Sequence, residues 1–238
     1  MFKEFIWEKD IFLKTDHPIA VDSPDHLNPY GGTQDCTDGT EFAKELREVF
    51  PGKKFLLDLG TATGTVPMTM RKTGMLVVGL EGSDYSKSHR IGGWYECPEI
   101  LMTCDISRPF EILDAEGKLF KFDFITAWSV IEHIHPDRIE ICFNNIIKHL
   151  SPIGYSIFNI DIGVNEWHQF IKTRDELQEI VGSYFYLDEK MKNSREWHYC
   201  RPSAAELVQA KKKFGKHIQR DSGTTFWWVK KKGQNYYE

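Results

Sequence analysis

Apolar positions along the chain change period several times, and each change marks an element. Thr40 to Phe50 sets Phe42, Ala43, Leu46, Val49 and Phe50 at helical spacing, and Pro51-Gly52 stops the helix. Phe55 to Leu59 and Val77 to Glu81 are short apolar runs, the pattern of strands buried on both faces. Between them, Gly60 and Gly64 bracket a turn where backbone can approach a ligand without a Cβ in the way. Pro67 is tolerated in the first turn of a helix, so the spacing predicts a helix starting near Thr63 to Val66. Leu101 to Ile106 and Phe122 to Trp128 read as two more strands. Pro136 to Leu150 lines up Ile139, Cys142, Phe143, Ile146, Ile147 and Leu150 on one helix face, with a strand over Tyr155 to Ile160 behind it. A helix over Lys172 to Val181, a strand over Tyr184 to Leu187, a helix over Pro202 to Phe214 and an aromatic strand over Thr224 to Lys230 complete the pattern. Strands alternating with helices predict an α/β fold around a largely parallel sheet.

The glycine turn suggests chemistry. Glu81 lies twenty-one residues after Gly60 at the end of the next strand, a distance at which a carboxylate reaches ribose hydroxyls. A dinucleotide turn wants G-x-G-x-x-G, and this chain has Ala62 and Thr65 where the second and third glycines belong, which weakens the case for NAD. What remains, Asp58-x-Gly60-x-Ala62-x-Gly64, resembles the D/E-x-G-x-G-x-G loop of the class I S-adenosylmethionine-dependent methyltransferases, with alanine in the central place. Downstream, Leu101 to Ile106 resembles the family's third strand with its terminal acid, and Phe122 to Trp128 its fourth. Ser129-Val-Ile-Glu132-His133-Ile134 is similar to the V-x-E-H-I segment of small-molecule methyltransferases (type 11) related to the ubiquinone-pathway enzymes. Leu150-Ser-Pro-Ile-Gly154 resembles the L-x-P-G-G turn before the fifth strand, with Ile153 replacing a glycine.

The resemblance covers residues 54–161 and implies a Rossmann-like fold, with a seven-stranded, mostly parallel sheet, an antiparallel last strand and helices on both faces. It also implies S-adenosylmethionine as cofactor. Asp58, Gly60, Thr61, Ala62 and Gly64 would hold the methionine end, Glu81 with Gly82 and Ser83 the ribose, and Asp105 with Ile106 the adenine, while Trp128 and Ser129 complete the set. The domain would run from 53 to 238, with core motifs to 161, a substrate region over 162–222 and a closing strand over 223–232; residues 1–52 would form an arm and helix covering the site. Ala20 to Thr33, with His26 and Tyr30, the Glu81 to Tyr85 segment and Trp167-His168-Gln169 resemble uncharacterised bacterial methyltransferases associated with glycans. That points to a small-molecule or glycan acceptor.

Methyl transfer to an alcohol is an in-line displacement in which the acceptor also loses a proton, for which a histidine or carboxylate is the fitting base. His168, His133 and Asp161 follow the predicted strand ends; His168 is the first choice. Each also has a plain structural role open to it, in capping a helix or ordering a loop. His133-x-His135 beside Glu132 and Asp137 invites a metal, but no third ligand stands at a recognisable spacing, and no metal is expected.

Composition sets the limits. At 238 residues and 41% hydrophobic content the chain builds one substantial core. Its net charge of −5 creates no field that would gather nucleic acid or an anionic membrane. Lys211 to Lys213, Lys216, Arg220 and Lys230 to Lys232, with Trp227 and Trp228, form either a phosphate-binding stripe or a solvated helix face and a closing strand. An RNA or protein methyltransferase, or a nucleotide-binding module without turnover, remains as an alternative. Five cysteines without a C-x-x-C read as reduced thiols, with Cys97, Cys104 and Cys142 in core elements. No apolar run approaches the ~20 residues that span a bilayer and no signal-peptide pattern opens the chain, so a cytoplasmic location is expected.

Overall fold

The computed structural model describes residues 11–23, 39–160, 168–170, 172–187 and 225–231. The arm with His26, Tyr30 and Thr33, the candidate base Asp161, the expected helix over Pro202 to Phe214 and the basic cluster from Lys211 to Arg220 lie outside the described residues.

The core is a sheet of β2 (Phe55–Leu59), β3 (Leu76–Glu81), β4 (Leu101–Thr103), β6 (Phe122–Trp128), β7 (Leu150–Ile160), β8 (Phe185–Leu187) and β9 (Thr225–Lys231), in the spatial order β4-β3-β2-β6-β7-β9-β8. The five strands from β4 to β7 run parallel, and β9 pairs antiparallel with both β7 and β8. Helices cover both faces. On one, Phe42, Ala43 and Leu46 of α1 (Thr40–Val49) and Val66 and Met70 of α2 (Thr65–Arg71) pack against Leu56, Val77, Phe124 and Ile157. On the other, Phe143 and Ile146 of α5 (Ile139–His149) and Leu177 and Val181 of α6 (Arg174–Tyr184) pack against Leu57, Leu80, Ile125 and Phe158. Strands covered on both sides favour apolar residues at nearly every position, which is why β2 and β3 read as near-continuous runs, interrupted only by Asp58 in β2 and closed by Glu81 in β3.

Several boundaries move for local reasons. The strand expected over Leu101 to Ile106 ends at Thr103, and Asp105 turns back on its own backbone. α6 starts at Arg174 because Thr173 and Glu176 form a capping box, the Thr173 hydroxyl accepting from Glu176 N–H and the Glu176 carboxylate accepting from Thr173 N–H. β7 begins at Leu150, opposite Phe122, and its register then shifts so that Tyr155 pairs with Phe124; Pro152, Ile153 and Gly154 are the extra residues in this irregular stretch.

A second, two-stranded sheet joins β1 (Ile11–Thr15) antiparallel to β5 (Phe110–Asp114). His149, at the end of α5, anchors it: Nε2 accepts from Ile112 N–H at 2.9 Å, Nδ1 lies 2.8 Å from the Asn145 carbonyl, and the ring stacks on Phe110. Burial pushes the His149 pKa down to about 4, so the imidazole is neutral near pH 7 with its proton on Nδ1. Asn145, one turn earlier, donates to the Ile106 and Arg108 carbonyls and ties the segment after β4 to the same helix. The linker between β3 and β4 carries α3 (Tyr85–Ser88) and α4 (Gly93–Glu96). No helix among the described residues is long and apolar enough to cross a membrane.

Candidate active site

Parallel register brings the ends of the central strands level. Leu59 pairs with Leu80 and with Ala127, Glu81 with Thr103, and Trp128 with Asn159. The chain therefore leaves β2, β3, β4, β6 and β7 along one edge, the place where ligands of open α/β sheets bind.

The turn after β2 has left-handed backbone at three alternate residues, Gly60 (φ +64°), Ala62 (φ +49°) and Gly64 (φ +74°). Within it Thr61 N–H donates to the Leu80 carbonyl, Ala62 N–H to the Glu81 carboxylate and Gly64 N–H to the Thr61 carbonyl, so the turn is tied down from inside. Gly60 is needed for a second reason: a Cβ there would stand 2.4 Å from Val130 Cγ2. α4 buttresses the turn from outside. Gly93 N–H donates to the Thr63 carbonyl, and the Trp94 indole N–H donates to the Ala62 carbonyl at 2.9 Å. Thr61 is buried, and its hydroxyl finds no partner among the described residues.

Three buried carboxylates stand along this edge of the sheet: Asp58, Glu81 and Asp105. Asp58, Gly79 and Thr126 are level across three strands, and the Thr126 hydroxyl donates to Asp58 Oδ1 at 2.6 Å. Glu81 bridges two loops, accepting from Ala62 N–H at 2.6 Å and from Ser83 N–H at 2.9 Å. A carboxylate has about four acceptor positions, so this bridge leaves Glu81 room for further donors. Asp105 Oδ1 accepts from both the backbone and the hydroxyl of Ser107, while Oδ2 lies 3.9 Å from Arg108 Nε. Ile106 is buried next to it.

The segment after β1 crosses the same edge. The His17 carbonyl accepts from Asp105 N–H, and Ala20 N–H donates to the Gly82 carbonyl. Asp22 binds the Arg138 guanidinium at 2.5 Å and lies 3.8 Å from that of Arg108; Arg138 holds its carboxyl below the usual carboxylate range. The half-buried Trp128 ring meets Phe42 of α1 edge-on at 5.0 Å, and Ser129, exposed and left-handed (φ +50°), donates its N–H to the Asn159 carbonyl.

Beyond β6, the chain turns at Ile131 to His133 and meets the segment that carries His168. Gln169 N–H and Phe170 N–H both donate to the Glu132 carbonyl, at 2.8 and 2.9 Å, and the Gln169 side-chain amide donates to the His133 carbonyl at 2.8 Å. The His133 and His168 rings face edge to face at 5.0 Å, with the buried Glu132 carboxylate beside them. His135 goes elsewhere: it is exposed and caps the turn before α5 by accepting from Asp137 N–H. The cluster formed is therefore Glu132, His133 and His168, and His135 has no part in it. Sequence spacing hides this, because His168 arrives thirty-five residues after His133 by way of α5 and β7. His17 and Trp94 carry no local signal in the sequence, since each acts through contacts to residues distant in the chain, whereas Ala20 and Asp22 lie in the segment already singled out by resemblance.

A mostly parallel sheet wound on both faces, with a glycine turn after its first strand, an acid at the end of the next and another just beyond the one after, is the arrangement of the Rossmann-like methyltransferase class. Residues 35–229 match the sequence profile of the family described as Methyltransferase domain, and the chain belongs to that family of enzymes. Among solved structures, a TehB-like SAM-dependent methyltransferase from Corynebacterium glutamicum superposes with a TM-score of 0.54 at 17% identity, over 83% of this chain and 89% of that one. Phosphoethanolamine N-methyltransferase 2 of Haemonchus contortus, in complex with S-adenosyl-L-methionine, gives 0.51 at 16% identity over 87% of this chain and 56% of its own length. At such identities the likeness is one of fold. No curated protein matches the sequence.

Proposed function

We propose that the protein transfers a methyl group from S-adenosylmethionine to a small-molecule or glycan-type acceptor, at oxygen. The observation that carries this reading is the edge built by the left-handed turn at 60–64 and the buried acids Asp58, Glu81 and Asp105. These residues fit the cofactor's groups one by one. The start of α2 behind the turn suits its carboxylate, Asp58 its ammonium, Glu81 the ribose hydroxyls with Gly82 and Ser83 alongside, and Asp105 with Ile106 the adenine. Thr61, whose buried hydroxyl has no partner among the described residues, offers one more polar contact to a ligand on the turn. Trp128 and Ser129 close the inner wall, and residues 16–23 roof the adenosine end through their bonds to Gly82 and Asp105.

When bound, the cofactor supplies a sulfonium methyl open to in-line attack. The chain's part is to align the acceptor, exclude water and take up a proton. Glu132, His133 and His168 gather where an acceptor would meet the inner end of the turn, because Val130, two residues before Glu132, leans directly on Gly60. His168 is the first choice for acid–base work and His133 the second.

Calorimetric titration of the full chain with S-adenosylhomocysteine, with NAD in parallel, tests the reading without the acceptor. Binding of S-adenosylhomocysteine alone is expected and would justify an acceptor screen that starts with sugars and nucleotide sugars. Binding of NAD alone, or of neither by folded protein, would overturn it.

A further inference from the structure

We propose that Glu132, His133 and His168 form a binding site for a divalent transition-metal cation. One carboxylate oxygen and two imidazole nitrogens lie within 4.8 Å of one another. Metal–ligand bonds of about 2.0–2.2 Å set neighbouring donor atoms roughly 3 Å apart, so modest rotation of side chains already converging here completes the triad. Two imidazoles and one carboxylate, with positions left over, favour zinc, manganese or iron over magnesium or calcium, which prefer oxygen throughout.

Two further observations support a built site. Glu132 and His168 are both buried, so the converging donor atoms lie away from bulk water, where a cation's attraction for a carboxylate is least screened. The backbone also holds the two halves together, since the three bonds from Gln169 and Phe170 to the Glu132 and His133 carbonyls fix the His168 segment against the β6 turn. Preorganisation of this kind is what a metal site requires and what a loose histidine pair lacks.

The site itself rests on this geometry; its role in methyl transfer rests on the reading above. An acceptor hydroxyl on the cation would lose its proton to solvent more readily. Its oxygen lone pair would then form the new C–O bond while the carbon–sulfur bond breaks, with that electron pair staying on sulfur. His168 would act as a ligand in place of a general base.

The test uses the full chain, freed of any polyhistidine tag and stripped with a chelator. Titration with Zn2+ and Mn2+ should find one ion per chain, at least tenfold tighter than Mg2+. His168→Gln should weaken binding tenfold or more, whereas His135→Gln, on the surface, should leave it unchanged. Co2+ bound in the same site should give a visible absorption band that His168→Gln shifts or abolishes. Failure of the folded wild-type chain to bind Zn2+ or Mn2+ would overturn the proposal, as would equal losses in the His135 and His168 variants. S-adenosylhomocysteine titrated into the same samples separates the two readings: its binding without metal binding removes only the cation site, and the converse removes only the methyl-donor site.

Discussion

Ala62 shows how much a single residue reveals about the turn. It holds a left-handed φ of +49° although it carries a Cβ, an arrangement that costs roughly 1 kcal/mol and that glycine avoids. Ala62→Gly should nevertheless change stability by less than about 1 kcal/mol, because glycine's greater freedom in the unfolded chain offsets the relief. S-adenosylhomocysteine affinity should be kept, as urea titration and calorimetry would show. Gly64→Ala should behave otherwise: at φ +74° its Cβ would stand 2.5 Å from Leu101 Cδ1 and 3.3 Å from the Gly93 backbone. An affinity loss of about tenfold or more is expected there, on the ~1.4 kcal/mol that each factor of ten represents. Glu81→Ala should lower both affinity and stability, the former by roughly 1–3 kcal/mol, because it also removes the acceptor for Ala62 and Ser83 N–H. A stability loss with unchanged affinity would leave Glu81 as a loop tie alone. The turn is readable from sequence because glycine spacing and a strand-terminal acid are local signals. Glu81's bridge between loops is not, since backbone geometry decides which donors reach it.

At the scale of elements, α5 and the β1–β5 ribbon depend on each other through His149. The neutral ring accepts from Ile112, which a protonated imidazole cannot do. Its folded-state pKa of about 4 lies below its ordinary 6.5, so between those values the unfolded chain binds more protons than the folded one. Stability should therefore fall as pH drops from about 6.5 to about 4, by roughly 3 kcal/mol from this group, with little further loss from it below. Denaturant melts of wild type and His149→Gln across this window should show a flatter profile for the variant. A slope unchanged by the substitution would assign the acid sensitivity to other groups. The helical face of α5 is plain in the sequence, but the ribbon is not: β1 and β5 are separated by almost one hundred residues, and no local pattern declares so distant a pairing. The meeting of Glu132 and His133 with His168 escapes a linear reading for the same reason, although all three residues stand out in the sequence.

For the whole molecule, burial predicts thiol behaviour. Cys97, Cys104 and Cys142 are free and buried, with the Cys104 thiol pushed up to about 12 and the other two also raised by desolvation. A thiol-specific reagent applied to native protein should leave at least these three unreacted, and all five cysteines should react in guanidinium. Reaction of more than two in the native state would contradict this core.

The order of the sheet also bears on how the protein is made. Among the described residues β8 has β9 as its only neighbour, and β9 sits between it and β7, yet thirty-seven residues separate Leu187 from Thr225. At about 5–20 residues per second, a ribosome takes about 2–7 s to synthesise that stretch. Throughout the interval the growing chain carries β7 as an open edge beside its finished neighbours, a template for pairing with other nascent chains. β9 thus sets the moment at which the newborn protein stops being adhesive, and a message truncated within those thirty-seven codons would leave a product that stays so.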